Sequence, residues 1–207
     1  NIRINKEKGI VTAGAGVSIN SLLEIIVPLG FFIPVSPGTR YVTIGGAIAS
    51  DVHGKNHHIR GSFGNHINEI TLIDGLGILK KLSGKKSASI EEKNQFWATI
   101  GGMGLTGVII EASFSLIPIK TSKILVDVFK YKDLDNLMDN MVNAEKNYQY
   151  CVAWVDTLSR SNRGIFTGGN HALEIDLEGN NFHKNPLSYE SKSLASIPSF
   201  LPNGLLN

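Results

Sequence analysis

The sequence predicts an α+β fold, and three observations carry that prediction. Residues 1–15 read as two short strands, "IRIN" and "GIVTAGAG", with a turn at "EKG". The segment "INEITLIDGLGILKKLS" reads as a β-hairpin: a strand over 70–73, a turn at Asp74-Gly75-Leu76-Gly77, and a second strand over 78–82. Beyond Pro118 the chain changes to a strand, a helix and a strand, an order that repeats nothing before it.

The remaining elements follow in order. "SINSLLEIIVPLG" predicts a helix with Ser18 as N-cap, an apolar face of Leu22, Leu23, Ile25 and Ile26, and Gly30 as its end. "FFIPVSPGT" is too broken by proline to be helical. Small and β-branched residues alternate with glycine from Val42 to Ser50, which predicts a short helix or turn packed against something flat. Residues 84–94 are polar, a solvated loop or helix start. "NQFWATIGG" is helix-like, and a long strand runs over 108–116. "KILVDVFKY" alternates as a strand, "KDLDNLMDNMVNAEKN" places Leu134, Leu137, Met138 and Met141 on one helix face, and "YQYCVAWVDTL" is a further strand. Residues 159–202 read as loops and polar runs. The change of character sets a domain boundary near residue 120, giving 1–120 and 121–207.

Composition narrows the classes of function. The 207 residues are 42% apolar and 18% charged, a globular balance large enough for a sizeable core. A net charge of +2 gives no reason to expect nucleic acid as a partner. The single cysteine, Cys151, lies among apolar and aromatic neighbours and reads as an inert buried thiol rather than a nucleophile. No apolar run reaches the roughly 18 residues that a membrane span needs. The chain starts at Asn1 and ends in "FLPNGLLN", so it is expected to be a fragment cut at both ends.

The chemistry concentrates in "SPGTRYVTIGGAIASDVHGKNHHIRGSFGNHI", residues 36–67. It holds six glycines, four of the six histidines and one acid, Asp51. A metal centre fits poorly: no cysteine is near, and His57 and His58 would point apart on a strand. No metal is therefore expected, and His57, His58 and His66 read as structural. "GAGVS" and "GGMGLTG" lack the strand–glycine–helix spacing of a dinucleotide fold, and no phosphate-binding P-loop occurs. Bare backbone with Thr39, Thr43 and Ser50 nearby suits a cofactor that carries both a pyrophosphate and a large apolar ring.

The runs "PGTRYVTIGGAIASDVHGKNHHIRGSFGNHI" and "FWATIGGMGLTGVI", continued by "AWVD" and "LPNG", resemble the flavin-binding domain of the vanillyl-alcohol oxidase type, the PCMH-type FAD domain. Within it the likeness is to the oxidases of polyprenylphosphoryl-ribose. The resemblance implies the C-terminal part of the FAD domain, its second subdomain, followed by the start of an α+β substrate domain.

It also implies roles. Gly38 would sit beside the isoalloxazine or ribityl chain, and Thr43, Ile44, Gly45 and Gly46 would line the flavin and its pyrophosphate. Ser50, Asp51, Val52 and His53 would continue along the cofactor, and Ile109 would close on the adenine half through its backbone. His53 and Lys55 would be the catalytic pair, with Lys55 also facing a phosphorylated sugar and Trp154 walling the pocket. The reaction implied is oxidation of the ribose C2 hydroxyl to a keto sugar, the first half of an epimerisation to arabinose for cell-wall arabinan. An NADH-dependent short-chain reductase would be the pathway partner. A lipid-linked phosphoribose substrate implies peripheral membrane contact, in the cytoplasm or the periplasm. The alternatives are an alditol or aldonolactone oxidase acting on a soluble polyol, and a non-catalytic flavin-domain fragment.

The chain departs from the pattern in several places. The arginine- and glycine-rich pyrophosphate loop is expected ahead of residue 1, and a cofactor-binding lysine in the rest of the substrate domain. This chain alone is therefore expected to hold FAD weakly. Ser50 stands where some relatives have cysteine, and Val152 where a polar pocket residue is common.

Overall fold

The computed structural model describes residues 1–158, 160, 162–178 and 184–189. Part of the 159–202 segment and the whole "LPNG" stretch lie outside them. The described residues form an α+β fold with two principal antiparallel sheets.

The first sheet has five strands in the order β1-β2-β6-β4-β5. β1 (Ile2–Asn5) and β2 (Ile10–Gly14) are the expected opening pair. β4 (Ile67–Ile73) and β5 (Leu79–Leu82) are the expected hairpin, with β4 starting earlier than its strand signal. Its turn is fixed by Asp74, whose Oδ1 accepts from the amides of Leu76 at 2.9 Å and Ile78 at 3.0 Å. The Ile78 amide, and then Lys80, hold the Asp74 carboxyl below its ordinary range. β6 (Val108–Ser115) returns from a distant part of the chain to lie between β2 and β4.

Helices cover one face of this sheet because their apolar residues recur at helical spacing. α1 (Ile19–Ile26) begins at Ser18, whose hydroxyl accepts from the Ser21 amide at 3.0 Å, and buries Ile19, Leu22, Leu23 and Ile26. Each such side chain contributes roughly 1.5–3 kcal/mol by leaving water. The chain leaves the following short 3₁₀ turn through Gly30, at φ 80°. α2 (Ile44–Ala49) and α4 (Ile90–Thr99) pack into the same core, with Phe63 against Phe114 at 5.3 Å between ring centroids. A two-residue pair, β3 (Phe31–Phe32) with β7 (Ile117–Pro118), closes the edge of this unit.

The second sheet has the order β8-β10-β9, from β8 (Ile124–Tyr131), β9 (Tyr150–Val155) and β10 (Gly164–His171). α5 (Leu134–Ala144) covers one face, packing Leu137 on Cys151 and Phe166. β10 corrects the loop reading of this segment. Its glycines weaken the strand signal, yet they are needed where α5 and its flank come close. A Cβ at Gly164 would lie 2.6 Å from the Leu137 side chain, and Gly168 lies under the Tyr148 ring.

A second correction concerns His57 and His58. They sit in a single helical turn, α3 (His57–Arg60), rather than on a strand, with ring centroids 5.9 Å apart.

Candidate functional site

The glycine- and histidine-rich stretch is held in place from both ends. Thr43 caps α2, accepting from the Gly46 amide at 3.1 Å. The amide of Ile44 donates to Val17 O at 2.9 Å and that of Gly45 to Ala15 O at 2.8 Å. A Cβ at Gly45 would lie 2.9 Å from the Ala15 Cβ, so this seam closes only without a side chain. The first amides of α2 are thus spent inside the chain. Residues 44–46 offer shape, with Ile44 buried and Gly46 exposed, rather than free N–H donors.

At the far end of α2, Ser50 is exposed and Asp51 takes φ 41°, a left-handed conformation that aspartate tolerates. Its Oδ1 accepts from the Gly64 amide at 2.8 Å. The second glycine cluster docks here, through Gly101 N to Ile48 O and Met103 N to Ala49 O, both 2.9 Å. Val52 accepts from the Phe63 amide at 2.8 Å, and His53 is exposed and bridges Ser62. The His53 ring stands edge-on to His57 at 5.8 Å. Ile109 is half-buried on β6, opposite Leu72 of β4.

The next turn brings the two sheets together. Gly54 is buried, with Ser36 O only 2.6 Å from where its Cβ would be. The buried Asn56 donates to Pro34 O at 2.8 Å. Lys55 O accepts from the Cys151 amide of β9 at 2.8 Å, and His58 Nε2 lies 3.2 Å from Tyr148 O. His57 and His66 likewise bond backbone carbonyls, of Gly54 and Arg60. Burial pushes the Cys151 thiol up, which keeps it protonated.

A cavity of about 320 Å³ opens at this junction. Ser36, Pro37, Gly38 and Lys55 form its wall on the first unit, beside Phe32. The second sheet supplies Ile124, Val126, Val152, Tyr150 and Thr167. No carboxylate lines it, and Lys55 makes no salt bridge among the described residues. One cation, neutral hydroxyls and apolar walls suit an anion joined to an apolar group.

The structure therefore brings together Gly38, Lys55 and Val152. His53 lies outside the cavity lining, and Trp154 lines a separate hollow of about 270 Å³ with Lys130 and Arg163. The sequence reading missed Phe32, Tyr150 and Thr167. Alternation in "YQYCVAWV" puts Tyr150, Val152 and Trp154 on one face and could have flagged the first; Thr167 sits on the unread strand β10.

These residues fit a flat cofactor. A Cβ at Gly38 would meet nothing within 4 Å, so open space lies beside this residue where it lines the cavity. Among the described residues no group of three or more histidine, cysteine, aspartate or glutamate side chains could hold a metal ion. No helix among them is long and apolar enough to cross a membrane.

Residues 1–83 match the FAD binding domain family. Over 96% of its length the chain is 36% identical to decaprenylphosphoryl-beta-D-ribose oxidase of Mycolicibacterium smegmatis, covering 43% of that protein. A D-lactate dehydrogenase of Anaerostipes hadrus is 26% identical over 64% of the chain and 28% of its own length. L-gulonolactone oxidase 3 of Arabidopsis thaliana is 40% identical over 35% of the chain and 12% of its own length. The chain spans less than half the length of each of these relatives.

Proposed function

We propose that the chain, whose residues 1–83 match the FAD binding domain family, is part of an FAD-dependent oxidoreductase of the PCMH type acting on CH–OH groups. Its substrate on this reading is a polyprenylphosphoryl-ribose, oxidised at the C2 hydroxyl to a keto sugar. Residues 1–120 are then the C-terminal part of the FAD domain and 121–207 the start of the substrate domain. The observation that carries the reading is the cavity where both units meet, which among the described residues has no acid in its lining and Lys55 as its only cation. The likeness to an oxidase so named supports the same choice.

Bound flavin would supply the redox chemistry, as a hydride acceptor. The chain's own residues bind and orient. Lys55 holds the phosphoryl group, and Phe32, Ile124, Val126 and Val152 exclude water and cover the apolar chain. Thr43, Ile44, Gly45, Gly46, Ser50, Asp51, Val52 and the Ile109 backbone support the cofactor. His53 orients the sugar hydroxyl or takes its proton. Trp154 walls the pocket once the rest of the substrate domain is present.

On the same reading the keto sugar passes to an NADH-dependent short-chain reductase that yields the arabinose epimer for arabinan. The enzyme works in peripheral contact with a membrane, in the cytoplasm or the periplasm. The second reading, a soluble-polyol oxidase, is favoured by the likeness to L-gulonolactone oxidase 3.

The test uses the complete reading frame, loaded with FAD and mixed anaerobically with farnesylphosphoryl-ribose. Bleaching of the flavin is expected. A flavin that stays oxidised there but bleaches with xylitol would establish the second reading instead.

A further inference from the structure

Tyr150 lines the cavity that holds Lys55, and its hydroxyl lies 2.9 Å from His171 Nε2. The two rings meet edge to face at 5.5 Å, and Phe32 also packs edge-on with the imidazole at 5.4 Å. His171 sits behind the cavity, lining a smaller hollow of about 100 Å³ with Phe32 and Ile124. The strand register makes this meeting possible. Gly169 faces Tyr150 across the ladder, and His171 is two residues further along the same face. With no side chain at 169, the phenol can reach the diagonal partner.

The imidazole can carry its proton on either nitrogen, and the surroundings decide which. Burial holds His171 below the ordinary histidine range, so it is neutral at neutral pH. Its Nδ1 is buried and has no hydrogen-bond partner among the described residues. A proton there would be a buried orphan donor, costing about 1–3 kcal/mol, and orphaned N–H groups are rarer than unused acceptors. The proton therefore belongs on Nε2, where it is donated to the Tyr150 oxygen. The phenol's own proton must then go elsewhere. His171 is the one described residue bonded to that hydroxyl, and the cavity is the open space beside Tyr150.

We infer that His171 turns the Tyr150 hydroxyl into a fixed, neutral hydrogen-bond donor that, together with Lys55, recognises a phosphoryl oxygen of the cavity's occupant. Tyr150 is the binding residue and His171 a positioning residue. Burial pushes the phenol up to about 12, so it donates a hydrogen bond and does not act as a base. The ligand identity rests on the proposed function; the direction of the proton does not.

Two measurements on the complete, FAD-loaded protein test this. The first is the ¹⁵N spectrum of His171, assigned by its loss in H171Q. The Nε2–H tautomer is expected, and the Nδ1–H tautomer would overturn the inference. The second is steady-state reduction by farnesylphosphoryl-ribose. Y150F and H171L should each raise KM about tenfold, with a smaller change in kcat, as loss of a bond to a charged group implies. H171Q, whose amide nitrogen can reach the same oxygen, should restore KM to within about threefold of the parent. A Y150F enzyme with unchanged KM would overturn the inference while leaving the proposed function intact. A parent enzyme that farnesylphosphoryl-ribose does not reduce would defeat the proposed function, and the tautomer would then decide the inference by itself.

Discussion

The Asp51 carboxylate accepts a hydrogen bond from the Gly64 amide at 2.8 Å, across the tip of the loop that joins α2 to β4. That bond ties the exit of α2 to the turn before β4 and fixes the path of residues 52–56 between them. Lys55 lies within that span, where its carbonyl also accepts from the Cys151 amide.

Removing the Asp51 side chain should therefore be costly. D51A leaves a non-glycine residue at φ 41° without its bond and should lose about 2 kcal/mol. D51N keeps an acceptor and tolerates that backbone, so it should lose less than half as much. Urea unfolding of the two variants checks the order. G64A should be destabilised by about 1–3 kcal/mol, because its Cβ would lie 2.8 Å from Asp51 Oδ1 and closer still to Ile100.

Gly45 and Gly38 should separate folding from cofactor binding. G45A drives a methyl into Ala15 and should lower the midpoint of thermal unfolding. G38A meets nothing within 4 Å and should leave stability within about 0.5 kcal/mol of the parent. Its methyl fills the open space assigned to the flavin, so the complete protein carrying G38A should bind FAD more weakly, as measured by fluorescence titration. Unchanged FAD affinity would move the flavin away from Gly38.

Two histidines give the chain a pH dependence of known sign. Burial lowers both His66 and His171 from the ordinary value of 6.5, and the Arg60 charge adds to the effect at His66. Each group binds a proton more readily when unfolded. Stability is therefore fully present above about 6.5 and is lost as pH falls from there through the lowered folded values. Denaturant midpoints measured between pH 8 and pH 5 should decline across that window, and less steeply in H171Q. A flat profile would contradict the desolvated, neutral state of these rings.

Lys55 should matter for the ligand and not for the fold. Its side chain makes no salt bridge among the described residues, so K55M should unfold within about 0.5 kcal/mol of the parent. In the complete enzyme KM for farnesylphosphoryl-ribose should rise about tenfold or more, and KM for xylitol should barely move.

Local chemistry made much of the fold legible. Ser18 and Asp74 announce a helix start and a hairpin turn through bonds to backbone within four residues, and both are as the sequence reads. The helix α5 was equally plain, though of its expected apolar face Leu137 is buried while Leu134 and Met138 are exposed. β10 was not, because its glycines answer to Leu137 and Tyr148, residues that reach it only in the folded chain. The site divides the same way. Gly38 and Lys55, which line the cavity, both stand in one continuous motif. Tyr150 and His171 become partners only when β9 and β10 pair, a contact between residues 21 apart that no motif encodes.

The central claim is that the side-chain-poor main chain from Pro37 to His53 is a bed for FAD. The most direct measurement is the visible spectrum and flavin content of the complete protein after purification and incubation with excess FAD. The account predicts a yellow protein with flavin absorbance near one equivalent per chain. A colourless protein that takes up no FAD under those conditions would contradict it.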